Sequence, residues 1–362
     1  MPALLLDDDF TQPVSPLSNW VDNALPAYDA NVEPTYLNSD GQLIEGIYLD
    51  LPNDVYHALP ALSSSGLKKF MSSPAHYYRD YLSGIERKRT NTQRRTLDTG
   101  THAHSLVLEP DGYYDQFFRD VIPSDYPDAL HTATQIEEQL VALDLKKSGT
   151  KAEKIERLLE ADPTAQVFDK IREDNCLKRG ERGTTMLEGE EVECFGDKVP
   201  VDGQIWDDAH RAQETVRSHA EADAYIQYGL PEVTIIARDP ITGLMLKVKF
   251  DWLRFDDEAV DLKTTRSTKP EEFKRQLLNL HYDLQQAFYC HVAKLAGIEI
   301  RSFVFVTVEF VEADICQPYE LSDKLATRAT KQVSEGLKQM KTCMEEDKWF
   351  GWSEDDCTMV IQ

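Results

Sequence analysis

From Leu62 onward the spacing of apolar and polar positions changes character three times along the chain. Serines and a proline punctuate Leu62 to Tyr78, with Ser63-Ser64-Ser65 and Ser73-Pro74 placed to start two short helices in succession. Leu97 to Leu108 reads as a further helix that brings His102 and His104 near its start and stops at Pro110. Ile136, Leu140 and Leu143 recur at helical spacing, Leu145-Lys146-Lys147-Ser148-Gly149 breaks the period, and Ile155, Leu158 and Leu159 resume it. Thr150 and Glu153 form a capping box for the second of these helices, since each side chain can satisfy a backbone donor at the helix start. Gly203 to Tyr228 predicts one long helix ending at Gly229.

The period then shortens to two. Branched residues predict strands over 232–238, 244–254 and 259–264, separated by turns at Asp239-Pro240-Ile241-Thr242-Gly243 and Phe255-Asp256-Asp257-Glu258. Helix follows from Pro270 to His291, a strand from Ile300 to Phe310, and an amphipathic helix from Leu321 to Glu346. An antiparallel hairpin that leads into a crossover helix predicts an α/β fold with a mixed sheet. Residues 1–45, rich in Asp, Asn and Pro, lack any sustained period and read as a flexible tail. The expected division is a tail at 1–45, one folded part at 46–125, a helix-loop-helix insertion at 126–165, and the part bearing the chemistry at 166–362.

Composition changes this picture in three ways. At 362 residues, with 41% hydrophobic and 28% charged, the chain has ample material for a core. No apolar run approaches the roughly 18 residues that cross a bilayer, and six scattered cysteines form no Cys-x-x-Cys pair, which predicts reduced thiols in a cytoplasm and no membrane partner. A net charge of −25 is unfriendly to polyanion binding, although a local basic groove is compatible with acidic faces elsewhere. Arg87-Lys88-Arg89 with Arg94-Arg95 is the clearest basic cluster, either a solvated loop or a DNA contact.

Alternation puts Asp261 and Lys263 on one face of their strand, and Asp251 ten residues earlier lies on the strand expected to pair with it. Two carboxylates converging beside an amine suit a magnesium ion, which takes one or two protein carboxylates and leaves water and phosphate at its other positions. A bare Asp-x-Lys is also what an ordinary salt-bridged hairpin shows. The surrounding pattern is more specific. Lys249-Phe250-Asp251-Trp252-Leu253, Val260-Asp261-Leu262-Lys263-Thr264-Thr265, Tyr282-Asp283-Leu284-Gln285-Gln286-Ala287-Phe288-Tyr289 and Gly100-Thr101-His102-Ala103-His104 followed by Leu108-Glu109-Pro110 resemble, in order and spacing, motifs of the RecB-like and RecE-like (exonuclease VIII) branch of PD-(D/E)XK nucleases. The Leu62 to Tyr78 segment is similar to the RecE-type leader, and the one departure is Phe250 where the class has proline.

The resemblance implies a PD-(D/E)XK nuclease core, a mixed central sheet flanked by helices with a small helical insertion. It implies Asp251 and Asp261 as metal ligands, Lys263 as the catalytic lysine and His104 as a further ligand in preference to His102. Gln285 and Tyr289, one helical turn apart, would organise the site or the DNA backbone, or else be core residues. Glu232 would bind or orient the metal, or be a plain strand-end glutamate. The 134–160 segment resembles a SAP motif, in which Lys146, Lys147, Lys151 and Lys154 would contact phosphates; a packed helical hairpin is the alternative. The activity implied is Mg²⁺-dependent hydrolysis of linear double-stranded DNA from 5′ ends, with Mn²⁺ as a substitute. It would leave 3′ overhangs for a RecT-like single-strand annealing protein in phage recombination, carried out by a homo-oligomeric ring. A restriction-type or structure-specific endonuclease, or a non-catalytic DNA-binding scaffold, are the competing classes.

Overall fold

The computed structural model describes residues 20–85, 91–187, 190–311, 313–353 and 358, and the backbone alone for 91–98. Arg87, Lys88 and Arg89 lie outside the described residues, as do the side chains of Arg94 and Arg95. In chain order the elements are α1 (Trp20–Asn23), β1 (Ala24–Pro26), β2 (Gly46–Leu49), α2 (Asn53–Ala58), α3 (Ser64–Ser72), α4 (Pro74–Tyr77), α5 (Asn91–Leu108), α6 (Pro110–Gln116), β3 (Phe117–Arg119), α7 (Ala133–Ala142), α8 (Lys151–Ala161) and α9 (Phe168–Leu177). They continue with β4 (Arg182–Leu187), β5 (Glu190–Phe195), β6 (Val199–Val201), α10 (Gly203–Ser218), α11 (Ala220–Tyr225), β7 (Gly229–Arg238), β8 (Met245–Arg254) and β9 (Glu258–Thr264). The last are α12 (Pro270–Asn279), α13 (Tyr282–Leu295), β10 (Ser302–Glu309), β11 (Ile315–Glu320) and α14 (Asp323–Glu346). Among the described residues no helix is long and apolar enough to cross a membrane.

The chain divides into two compact units, and the boundaries differ from the expected segments. The first holds the described residues up to 85 together with 216–309 and those from 315 onward; the second holds the described residues of 91–215 and of 310–314.

The first unit is built on a seven-stranded mixed sheet in the order β1-β2-β7-β8-β9-β10-β11, flanked by helices. The three strands β7, β8 and β9 run antiparallel, and β10 then pairs parallel to β9. A parallel neighbour demands a crossover, which α12 and α13 supply. On one face, Leu67 and Phe70 of α3, Phe273 of α12, Leu284 and Phe288 of α13, and Val333 and Leu337 of α14 share a core with Val248, Phe250, Phe303 and Phe305 of the sheet. Each such ring, fully buried, contributes about 2–3 kcal/mol. Gly336 lets α14 come close to α3, since a Cβ there would meet the Met71 sulfur at 3.0 Å. On the other face, Tyr56 and Leu59 close a smaller core with Tyr36, Tyr48 and Ile236.

Part of the expected tail is folded. Over 20–45, Trp20 is buried, its indole N–H donates to the Arg254 carbonyl at 3.3 Å, and β1 pairs parallel with β2 at the sheet edge. Its apolar residues are too sparse and irregular for a period to reveal them. Two expected helices are each divided. Between α10 and α11, His219 turns away and its Nδ1 accepts the Ala222 N–H at 3.1 Å; between α12 and α13, His281 takes a left-handed φ of 53°.

The second unit contains α5, the β4–β5 hairpin, the short β3–β6 pair and the helical pair α7 and α8. Ile136, Leu140 and Leu158 close a small core of their own with Val167. Thr150 caps α8 as its sequence predicts: its Oγ1 accepts the Glu153 N–H at 3.3 Å and the Glu153 carboxylate accepts the Thr150 N–H at 2.8 Å.

Candidate active site

Strand register brings three carboxylates into one row across the first unit's sheet. Pro231 faces Trp252 and Val233 faces Phe250, so Glu232 stands opposite Asp251. Trp252 faces Val260, which sets Asp251 opposite Asp261 on the next strand. The ladder between β8 and β9 stops at that point, and Asp251 replaces it with its side chain: Oδ2 accepts the Leu262 N–H at 2.8 Å.

The row sits on a kink that β7 and β8 share. Phe250 and Leu253 belong to the same core face although three positions separate them, and Val233 and Leu230 show the same odd step. Side chains of a regular strand return to a face every second residue, so both strands switch faces between these pairs, at Glu232 and Asp251. Glu232 absorbs the change with a left-handed φ of 53°, uncommon for a residue with a side chain. It therefore lies inside β7, which begins at Gly229, rather than opening the strand.

Each acid has a defined partner. Glu232 is paired with Lys249 at 3.0 Å, and that ammonium also donates to the Leu51 carbonyl at 2.7 Å and to Asn53 Oδ1 at 2.8 Å. Carboxylate oxygens of Glu232 and Asp251 lie within 4.8 Å of one another, close enough for one small cation to bridge them. Asp261 is 1% exposed; its Oδ1 accepts from the Gln285 amide at 2.7 Å, and its Oδ2 forms an ion pair with the Lys263 ammonium. A buried carboxylate so bound on both oxygens avoids the cost of an unpaired charge.

The Lys263 ammonium lies 5.0 Å from the centroid of the Tyr282 ring. Burial would lower its pKa, but the Asp261 and Asp251 carboxylates outweigh burial and hold it above the ordinary lysine value. Lys263 is therefore a cation at neutral pH, a hydrogen-bond donor and not a ready base. Burial, followed by the nearby charges of Tyr56, Asp251, Asp261 and Glu232, raises Tyr289 well above the usual phenol value, which keeps its O–H neutral. The Tyr289 ring stands edge-on to Phe250 at 5.1 Å.

Of the residues singled out in the sequence, Asp251, Asp261, Lys263, Gln285, Tyr289 and Glu232 thus meet on β7, β8, β9 and α13. His104 stands half-buried on α5 in the second unit. His102 is held structurally: its Nδ1 lies 3.1 Å from the Tyr113 hydroxyl and its ring is edge-on to Phe117 at 5.0 Å. The four lysines of the helical hairpin separate into two kinds. Lys154 is paired with Glu137 at 2.6 Å and Lys151 with Asp169 at 2.6 Å, whereas Lys146 and Lys147 are exposed in the connecting loop.

Two cations of the first unit were not singled out. Lys249 alternates with Lys247 on the strand face opposite the apolar residues, a visible signal that a structural partner waits there. Lys68, half-buried on α3, lies 5.8 Å from the centroid of the same Tyr282 ring as Lys263; its segment resembles the RecE-type leader, but no role was read for the lysine itself.

Comparison with solved structures finds a chain described as "Putative exonuclease" from Eubacterium rectale, 13% identical, with a TM-score of 0.45, covering 87% of this chain and 95% of that one. A second, SSO0001, is 14% identical with a TM-score of 0.22, covering 36% of this chain and 59% of that one. No curated protein matches. The model of a family described as a PDDEXK-like domain of unknown function (DUF3799) matches residues 63–360, and the chain belongs to that family.

Proposed function

We propose that the protein is a divalent-metal-dependent exodeoxyribonuclease that degrades linear duplex DNA. The observation that carries this reading is the row Glu232, Asp251 and Asp261 on adjacent strands with the Lys263 ammonium beside it. The donor set fits a hard ion: carboxylate oxygens, two of them from different strands within 4.8 Å of one another, with no thiolate. Asp251 and Asp261 are proposed as ligands, with Glu232 and, by the resemblance of its motif, His104 completing the set. Mg²⁺, or Mn²⁺ in its place, supplies Lewis acidity toward a phosphate oxygen when bound.

The protein's own groups do the remaining work. The Lys263 ammonium donates to the attacking water or to the scissile phosphate, where negative charge grows. Gln285 holds Asp261 through its 2.7 Å hydrogen bond and so fixes the side on which that carboxylate is presented. Lys249 does the same for Glu232. In the second unit, Lys146 and Lys147 form no ion pair among the described residues and are the proposed phosphate contacts of the helical hairpin. Cutting from 5′ ends, 3′ overhangs, a RecT-like annealing partner and a homo-oligomeric ring belong to this proposal through the resemblance.

Metal removal tests it. Cleavage of an end-labelled linear duplex is expected in Mg²⁺ and Mn²⁺ and is expected to vanish when EDTA exceeds the metal. Cleavage that survives chelation would overturn the metal site.

A further inference from the structure

Three carboxylates occupy the place where a polyanion has to arrive, on a chain whose formal charge is −25. The cations that balance them are already committed: Lys249 to Glu232 and Lys263 to Asp261. Lys68 differs. Among the described residues it forms no ion pair, and its Nζ donates to the Leu280 carbonyl at 3.3 Å. Leu280 closes the C-terminal end of α12, where backbone carbonyls have no helical partner, so the ammonium rests on a weak acceptor that water could replace.

Its placement is firm while its bond is loose. Ser63 caps α3 by accepting the Gly66 N–H at 3.2 Å, and Leu67 and Phe70 anchor the helix in the main core. Lys68 is thereby held on the helix flank beside Tyr282, whose ring centroid is 5.8 Å from its Nζ and 5.0 Å from that of Lys263. Burial, then the neighbouring Lys263, pulls its pKa down to about 8 against the opposing pull of Asp261 and Asp283. A half-buried cation whose neighbouring carboxylates do not offset its burial gains from an anionic ligand.

We propose that Lys68 is a phosphate-binding residue, its ammonium taking a phosphate oxygen of the DNA strand laid across the carboxylate row. The inference rests on the nuclease reading and extends it with a cation of the Leu62 to Tyr78 segment to which the resemblance gave no role. Such a contact is charge-assisted and electrostatic, so it governs affinity and salt dependence more than the chemical step.

The test compares the full chain with Lys68→Met, which keeps the stem on Tyr282, Lys68→Gln, which keeps a donor for Leu280, and Lys68→Arg, which keeps the charge. In steady-state cleavage of a labelled linear duplex in Mg²⁺, Lys68→Met and Lys68→Gln are expected to raise KM about tenfold with kcat within about twofold. The slope of log(kcat/KM) against log[salt] should lose about 0.9, the share of one phosphate. Lys68→Arg should restore most of both. Duplexes ending in a 5′-hydroxyl or a 5′-phosphate identify the phosphate: an equal loss on both marks an internal one, a loss confined to the second a terminal one. A parent that cleaves nothing defeats the nuclease reading. A parent that cleaves, with Lys68→Met and Lys68→Gln folded and unchanged in KM and salt slope, defeats the role of Lys68 alone.

Discussion

His102 and His104 stand two residues apart on α5, and the fold treats them differently. His102 is enclosed by Tyr113 and Phe117, and burial pushes its imidazole down to about 4. In the unfolded chain the ring takes its proton near 6.5. Between those values the unfolded state binds more protons, so stability present above pH 6.5 is lost as pH falls through the window and levels off below about 4. The loss is on the order of 2–3 kcal/mol. Urea denaturation of the parent and of His102→Gln at pH 7, 5.5 and 4 checks this. The parent should weaken more steeply than the variant, and parallel losses would show that the ring is not held neutral. Ions obey the same rule of local context at Asp261, where burial is tolerated because Gln285 and Lys263 occupy both oxygens.

At the scale of elements, the signals that could be read were those carried by nearby residues. The capping box at Thr150 and Glu153 is a local pair, and it starts α8 where expected. Thr150→Ala is therefore expected to cost about 1 kcal/mol of stability, measured as a lower denaturation midpoint, most plainly in hydrogen exchange over α8. Unchanged exchange there would mean that the small core of Ile136, Leu140 and Leu158 sets the helix alone. The Asp261 and Lys263 pairing was also legible, because alternation along one strand decides it. The kink was not. That Glu232 turns left-handed and that β7 and β8 change faces together depends on pairing between strands, which no period in either strand records. The same holds for the division at His281: the apolar spacing of α12 and α13 is continuous enough to read as one helix, and the left-handed turn of His281 that separates them leaves no mark in that spacing. Likewise β11 and the β4–β5 hairpin, short and mostly exposed, carry too little alternation to be seen.

At the scale of the molecule, the two units fold around separate cores, and the carboxylate row lies wholly within the first. Its formation needs the antiparallel triplet β7, β8 and β9, the parallel β10 behind it and the crossover helices that deliver Gln285 and Tyr289. A chain with a net charge of −25 gains nothing from general attraction to DNA, so the proposed nuclease would rely on a few placed cations and on a bound metal. The most direct measurement incubates end-labelled linear duplex and covalently closed circles with Mg²⁺, using the parent and Lys263→Ala. If the protein is the proposed exonuclease, the parent degrades the linear duplex and leaves circles intact, while Lys263→Ala falls by roughly 10²–10⁴-fold. Linear DNA left whole by the parent, or cut as fast by Lys263→Ala, would contradict it.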